Sequence, residues 1–190
     1  MIRLRMHNTL GNKKEDFQPI DPQHIKIYAC GPTVYHYAHI GNARMAVAVD
    51  LWVRLLRQLY PKVTYVSNIT DVDDKIIQAS IDRGHPIAEI TEKFTKIYNA
   101  DMAALGVALP DMQPRATEYI ADMVAAIGKL ITKGNAYEVE GHVLFHVPSF
   151  PIYGCLSRRN PEDQLAGSRI EVSSIKRDPA DFVLWKPSIE

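Results

Sequence analysis

Between His24 and Ile69 the apolar residues change period twice, and this constrains the fold more than any other feature of the chain. His24-Ile-Lys-Ile-Tyr-Ala-Cys30 alternates and then turns apolar, which predicts a buried strand that Gly31-Pro32 breaks. From about Gly41 to Leu59 the pattern becomes helical, with apolar residues nearly all round and one polar stripe of Asp50, Arg54 and Arg57. A helix with so narrow a polar face packs against a sheet. Lys62 to Ile69 is rich in β-branched and aromatic residues and predicts a second strand. Strand, helix and strand in such close succession form a βαβ unit, hence a parallel sheet with a right-handed crossover. Ligands of such sheets bind beyond the carboxyl ends of the strands. Two segments occupy that place, Cys30 to Asn42 and Asn68 to Lys75.

The 190 residues are enough for one domain, or one with a sizeable insertion. A composition of 46% hydrophobic and 23% charged residues excludes disorder and fibrous repeats. Twenty-two basic residues cancel 22 acidic ones, which excludes a wholesale nucleic-acid binder. Cys30 and Cys155 stand too far apart to be a disulfide framework. The opening MIRLRMHNTLGNKK lacks the apolar core of a signal peptide, and the apolar run from Met45 to Leu59 is interrupted by charges. The expectation is no membrane contact and a cytoplasmic location.

The first fifteen or so residues are polar and predict an edge strand or loop. Pro86 opens an amphipathic helix containing Ile90, Phe94 and Ile97. Pro114 precedes a second, with Ile120, Met123, Val124, Ile127 and Ile131 inward and Gly134 as its stop. Period two from Tyr137 to Val147 around Gly141 predicts a hairpin, and Pro148 to Glu190 reads as loop-rich. The expected division is 1–112 for a first half of a nucleotide-binding domain and 113–190 for an inserted subdomain.

The densest chemistry is Cys30-Gly-Pro-Thr-Val-Tyr-His-Tyr-Ala-His-Ile-Gly-Asn-Ala-Arg44, at the strand–loop–helix junction. A helix start offers free N–H groups and a positive dipole end, both suited to phosphate. His39 stands just before the helix. Gly41 leaves room for a flat adenine ring against the backbone, and Asn42 can both donate and accept. Each also has a plainer reading, with Gly31-Pro32 a turn, His36 and His39 loop residues and Asn42 an N-cap. Neither GxxxxGK[ST] nor GxGxxG occurs, so a nucleotide site here is of another kind. Asp71, Asp73 and Asp74 could be read as a metal site, but the reading favoured is capping plus site shaping, with Asp71 or Asp73 accepting from the first amides of the next helix. Cys155 and the pair His142 and His146 lack the companions of a metal site.

His39-Ile40-Gly41-Asn42 resembles the HIGH signature of class I aminoacyl-tRNA synthetases, with Asn42 where the generic motif has His. Cys-Gly-Pro-Thr-Val-Tyr before it and Asn68-Ile-Thr-Asp-Val-Asp-Asp-Lys75 after the second strand resemble the cysteinyl-tRNA synthetase family. Leu165 to Val172 and Asp178-Pro-Ala-Asp-Phe-Val-Leu-Trp-Lys186 resemble that family's inserted segment. The resemblance implies an incomplete Rossmann-like α/β sheet of the class I synthetase (HUP) type carrying an inserted α+β subdomain. It implies activation of cysteine with ATP and magnesium, then transfer to tRNA(Cys), by a monomer. His39 and Asn42 match catalytic positions that hold ATP and stabilise the in-line transition state. Pro32, Thr33, Tyr35 and Gly41 match further ATP-binding positions. Cys30, Gly31 and Thr70 match positions near the amino acid, with Cys30 a zinc ligand whose metal grips the substrate thiolate. On this reading the thiol of Cys30 faces the nucleotide cavity.

The chain departs from the family in what it lacks: a KMSKS-like lysine loop and the remaining Cys, His and Glu zinc ligands. The expectation is therefore a chain inactive by itself that retains little zinc. The alternatives are a truncated non-catalytic paralogue that binds nucleotide or a protein partner, and a related ligase joining cysteine to an amino-sugar. Arg158, Arg159 and Arg169 are the candidates for a tRNA acceptor groove, weighed against ordinary solvated surface.

Overall fold

The computed structural model describes residues 3–158 and 175–187. They divide into two compact units, Gln18–Ile120 and Met1–Phe17 with Ala121–Glu190. Leu165 to Val172, Arg159 and Arg169 lie outside the described residues.

The polar amino terminus is a hairpin rather than a single edge strand or loop. In it β1 (Arg5–Asn8) pairs antiparallel with β2 (Lys13–Asp16), and Asn12 takes the left-handed turn conformation at φ 49°. Four-residue strands with no alternating apolar face carry no periodic signal, so this pairing had nothing to announce it.

The expected βαβ unit is present. β3 (Ile25–Ala29) and β4 (Val63–Ser67) pair in parallel, Ile25 opposite Val63 through Ala29 opposite Ser67, and α1 (Ile40–Leu59) makes the crossover. The reading of the first strand as buried holds for one face only. Ile25 and Ile27 are buried while Tyr28 is 67% exposed, so β3 is covered on one face only among the described residues. Beyond β4 the chain returns to the same sheet. Ser67 N–H donates to Met112 O at 3.1 Å and Ile69 N–H to Pro114 O at 2.8 Å, making an irregular parallel neighbour. Pro110 and Pro114 donate nothing, which keeps this segment from becoming a regular strand.

The polar stripe of α1 fixes that return. Asp50 accepts from Arg54 at 2.6 Å and from Ala108 N–H at 3.1 Å, while Arg54 donates to Gly106 O at 2.7 Å. Arg57 donates to both Asp111 oxygens at 2.9 Å. Ala43, Ala46, Val53 and Leu56 are buried, but Val47, Leu51 and Leu55 are exposed. Packing all round the helix, as its composition suggested, is thus not observed.

α2 (Asp74–Arg83) and α3 (Ile87–Ala104) follow, α3 opening at Pro86 as expected. They close a core of Val34, Ile69, Ala79, Ile90 and Phe94 under the loops that leave β3 and β4. Asp73 caps α2, accepting from Lys75 N–H at 2.9 Å. Asp71 does something else. It is buried and accepts from the Thr117 N–H at 3.0 Å and hydroxyl at 2.6 Å, at the short 3-10 turn Ala116–Tyr119.

α4 (Ile120–Thr132) stops near Gly134 (φ 75°), whose N–H donates to Ile131 O at 2.9 Å. Its predicted inward face is not buried: no described residue of α4 is, and Val124 is 52% exposed. β5 (Ala136–Val139) and β6 (His142–Phe145) form the expected hairpin, turning through Glu140 (φ 49°) and Gly141 (φ 74°), both left-handed as a type I′ turn requires. The loop-rich reading of Pro148 onward is corrected by β7 (Phe182–Trp185), which pairs antiparallel with β6. Asp181, 1% exposed, immediately precedes that strand. It accepts from Tyr137 Oη at 2.8 Å, His146 Nδ1 at 3.2 Å, Val147 N–H at 3.0 Å and Asp178 N–H at 3.2 Å.

Candidate functional site

The two loops at the carboxyl ends of β3 and β4 are tied to each other before they diverge. Gly31 N–H donates to Asn68 Oδ1 at 2.9 Å, and Asn68 Nδ2 donates to the Thr70 hydroxyl at 3.2 Å. Thr70 N–H donates to Pro32 O at 3.0 Å and Val34 N–H to Thr70 O at 3.2 Å, so the parallel pairing runs past the sheet. Val34 and Ile69 drop into the core beneath, 1% exposed each. The ladder holds the loop from Pro32 to His39 over the start of α1.

A cavity of about 340 Å³ opens there, within the size range of small-molecule sites. Pro32 to His39 form one wall, and Asn42 of α1, Lys75 of α2, and Phe94 and Tyr98 of α3 complete it. Of the residues singled out in the sequence, Pro32, Thr33, Tyr35, His39 and Asn42 meet at this cavity, together with His36. Cys30, Gly31, Gly41 and Thr70 are not among its lining. Gly31 and Thr70 belong to the ladder behind it. Cys30 is exposed at the end of β3, with its thiol 3.8 Å from Gly31 O, and does not face the cavity as expected. The chain turns at Gly31-Pro32 under the hold of Asn68, so the wall begins only after the turn.

His39 and Asn42 close a reciprocal capping box. His39 is the N-cap of α1, its Nδ1 accepting from Gly41 N–H at 3.0 Å, and Asn42 Oδ1 accepts from His39 N–H at 3.1 Å. The plain reading that made Asn42 the N-cap is corrected: Asn42 is the third helical residue and the imidazole is the cap. A ring that accepts at Nδ1 carries its proton on Nε2. Asn42, with its oxygen engaged, keeps its amide N–H groups. Each residue spends its acceptor on the helix and has donors left over. Two donors beside a helix amino terminus suit an oxyanion.

The open face expected at Gly41 is taken. A Cβ there would stand 2.7 Å from His39 Cε1 and 2.9 Å from Nδ1, so the glycine makes room for the imidazole rather than leaving that side empty. Gly41→Ala is therefore expected to swing the ring away. The lost cap costs about 1 kcal/mol, and the gain in helix propensity returns about the same. Urea midpoints should stay within about 0.5 kcal/mol of the parent, while the Nδ1 and Nε2 nitrogen resonances of His39 lose their distinct tautomer pattern. An unchanged pattern would mean that the ring does not depend on the bare glycine.

Aromatic groups fill the rest of the wall. His36 stacks on Phe94 (centroids 6.1 Å, planes 11° apart) and Tyr37 meets it edge-on at 5.4 Å. Burial pushes the Tyr98 phenol above its ordinary value, and Tyr65 adds to this, so Tyr98 presents an O–H at neutral pH. Lys75, in the first turn of α2, had no role in the sequence reading beyond its motif. Only the fold shows that it reaches the ring of Tyr35 and the same cavity. For metals, the described residues contain no group of three His, Cys, Asp or Glu side chains able to hold an ion. Cys30 supplies at most one of the about four ligands of a tight zinc centre, so the residues present do not fit one and no step is routed through zinc. None of the described helices is long and apolar enough to cross a membrane.

Residues 16–190 match the family model described as "tRNA synthetases class I (C) catalytic domain". The chain is 60% identical over 187 residues to a protein named Cysteine--tRNA ligase from Rhodospirillum rubrum, covering 98% of this chain and 41% of that one. A protein of the same name from Parvibaculum lavamentivorans is 56% identical, over 98% of this chain and 40% of its own length. The chain thus spans about 40% of the length of these curated relatives. Among solved structures it is similar to Mycobacterium tuberculosis methionyl-tRNA synthetase in complex with methionyl-adenylate (TM-score 0.53, 20% identity, 60% of this chain and 23% of that one). It is also similar to an Agrobacterium radiobacter LeuRS in a ternary complex with tRNA and LeuAMS (TM-score 0.53, 19% identity, 67% of this chain and 17% of that one). At such identities these two likenesses show the fold alone, an α/β class I synthetase arrangement as the sequence implied.

Proposed function

The chain belongs to the tRNA synthetase class I (C) catalytic-domain family, and from that premise we propose that it is the ATP-binding part of a cysteine–tRNA ligase. In the proposed reaction the cysteine carboxylate attacks the α-phosphorus of ATP in line. A carboxylate oxygen–phosphorus bond forms, the bond from the α-phosphorus to its bridging oxygen breaks, and pyrophosphate leaves with the electron pair. A terminal ribose hydroxyl of tRNA(Cys) then attacks the cysteinyl carbonyl, an ester forms, the acyl–oxygen bond to the phosphate breaks, and AMP leaves with the electron pair. His39 and Asn42 are the catalytic residues, with the Nε2–H of one and the amide N–H of the other donating to the α-phosphate as charge builds on it. Pro32, Thr33 and Tyr35 complete the ATP subsite, Gly41 serving it from behind as the seat of the His39 ring, with magnesium accompanying the phosphates. Cys30, Gly31 and Thr70 border the amino-acid side.

The observation that carries this reading is the reciprocal cap. It leaves spare donors on two residues of one helix start that line a cavity with no described carboxylate in its lining, in a chain 60% identical to a named Cysteine--tRNA ligase. We assign residues 113–190 to the family's inserted subdomain, and the protein to the cytoplasm as a monomer. No observation favours the non-catalytic paralogue or the amino-sugar ligase. The test is cysteine-dependent exchange of labelled pyrophosphate into ATP. We expect none from the 190 residues alone, and turnover from a polypeptide continued to the length of the relatives. That turnover should fall about a hundredfold or more in Asn42→Ala. Exchange driven by serine as well as by cysteine, or unaffected by Asn42→Ala, would overturn the reading.

A further inference from the structure

Lys75 is the one Lys or Arg among the described residues that line the cavity. Its backbone is fixed, since its N–H is the one that Asp73 caps. Its side chain reaches over Tyr35, with Nζ 5.6 Å from the ring centroid. That ring and the ammonium line the cavity together with His39 and Asn42. The ion pairs of the described residues engage Arg54, Arg57, Lys96 and Arg115 with carboxylates, but not Lys75. None of the described residues lining the cavity is an Asp or Glu. Two more cations rest against the next ring of the wall: the Arg83 guanidinium and the Lys93 ammonium lie 5.1 and 5.6 Å from the Phe94 centroid. A ring face tolerates a cation without neutralising it, so these ammonium and guanidinium groups keep their charge beside a cavity with no Asp or Glu among its described lining residues. That arrangement suits a ligand carrying several negative charges close together.

We infer that Lys75 is a polyphosphate-binding residue of this cavity, its ammonium pairing with the phosphates beyond the one that His39 and Asn42 address. The inference rests on the nucleotide reading above for its biological ligand, but not for its chemistry. A compact point charge on a flexible stem, held over an aromatic ring, can follow the leaving pyrophosphate as it separates.

The test uses inorganic pyrophosphate and adenosine as separate probes, titrated calorimetrically into the 190-residue chain at low ionic strength. Pyrophosphate is expected to bind the parent. Lys75→Gln should weaken it about tenfold or more, and Lys75→Arg should stay within about threefold. Lys129→Gln, which removes the same charge from α4, should leave it unchanged. Equal weakening by Lys75→Gln and Lys129→Gln would reduce the effect to net charge and overturn the inference. So would pyrophosphate binding indifferent to Lys75→Gln, or no pyrophosphate binding by the parent. Pyrophosphate bound through Lys75 with adenosine left unbound would uphold the anion site while sinking the nucleotide reading.

Discussion

Gly31→Ala is expected to lower the stability of the Gln18–Ile120 unit by about 3 kcal/mol, at the top of the range for overpacking. The reason is distance. A Cβ on Gly31 would stand 1.6 Å from the carbonyl oxygen of Asn68 and 2.7 Å from its carbonyl carbon. Both are backbone atoms, so no rotamer change relieves the contact. One of the two loops must move, and movement breaks the ladder: Gly31 N–H to Asn68 Oδ1, Thr70 N–H to Pro32 O, and Val34 N–H to Thr70 O. Val34 and Ile69 then lose their places in the core below. The effect should reach the site, because the wall from Pro32 to His39 hangs on the same ladder. Trp52 of α1 reports on this unit when Trp185 is replaced by Phe, and its fluorescence in urea gives the midpoint. A shift under about 0.5 kcal/mol would show that the loops part without cost and that the site is not held as described.

The contrast with Gly41 is instructive. There an added Cβ meets the tip of a side chain, which can rotate, and the predicted change is in ring orientation rather than stability. Both glycines stand in the one string that the sequence marked as chemistry. Only the coordinates separate the glycine that holds two loops together from the one that gives an imidazole its seat.

What the sequence made legible was whatever repeats along it. The change from period two to helical period and back located β3, α1 and β4 within a residue or two, and the break at Gly141 located the β5–β6 hairpin. Elements without a period escaped. β1 and β2 are short and polar, and Phe-Val-Leu-Trp of β7 is four apolar residues in a row, which no alternation distinguishes from a loop's apolar patch. At the site, the string from Pro32 to Asn42 was legible as a block because it is contiguous. Lys75, Phe94 and Tyr98 come from two other helices and join it only through the fold. The sequence marked the turn at Gly31-Pro32 but not that it leaves Cys30 outside the cavity's lining.

Asp181→Asn is expected to destabilise the other unit by about 3 kcal/mol, as removal of one member of a buried charged network does. Asp181 is 1% exposed and draws four donors from three stretches of chain: Tyr137, His146 with Val147, and Asp178. Tyr137 is itself fixed by Arg177, whose N–H donates to its hydroxyl at 2.8 Å and whose guanidinium covers its ring at 4.1 Å. Each Asp181 oxygen accepts from a backbone N–H, Oδ1 from Val147 and Oδ2 from Asp178, so an amide at position 181 would turn its NH2 toward one group that can only donate and strand it. The same network fixes the pH dependence. Burial pushes the Asp181 carboxyl up, but the bonds from Tyr137, His146, Val147 and Asp178 outweigh it and leave it below the ordinary carboxylate value. The folded form therefore binds this proton less readily than the unfolded form. Its contribution is complete above the unfolded value of about 4 and fades as pH falls through the lower folded value. With Trp52 replaced by Phe, Trp185 in β7 reports on this unit. The parent should lose stability with acid below about pH 4, and Asp181→Asn should flatten that dependence while lowering the plateau. A variant that follows the parent's acid profile would show that other carboxylates govern it and that Asp181 is not the hub of this sheet.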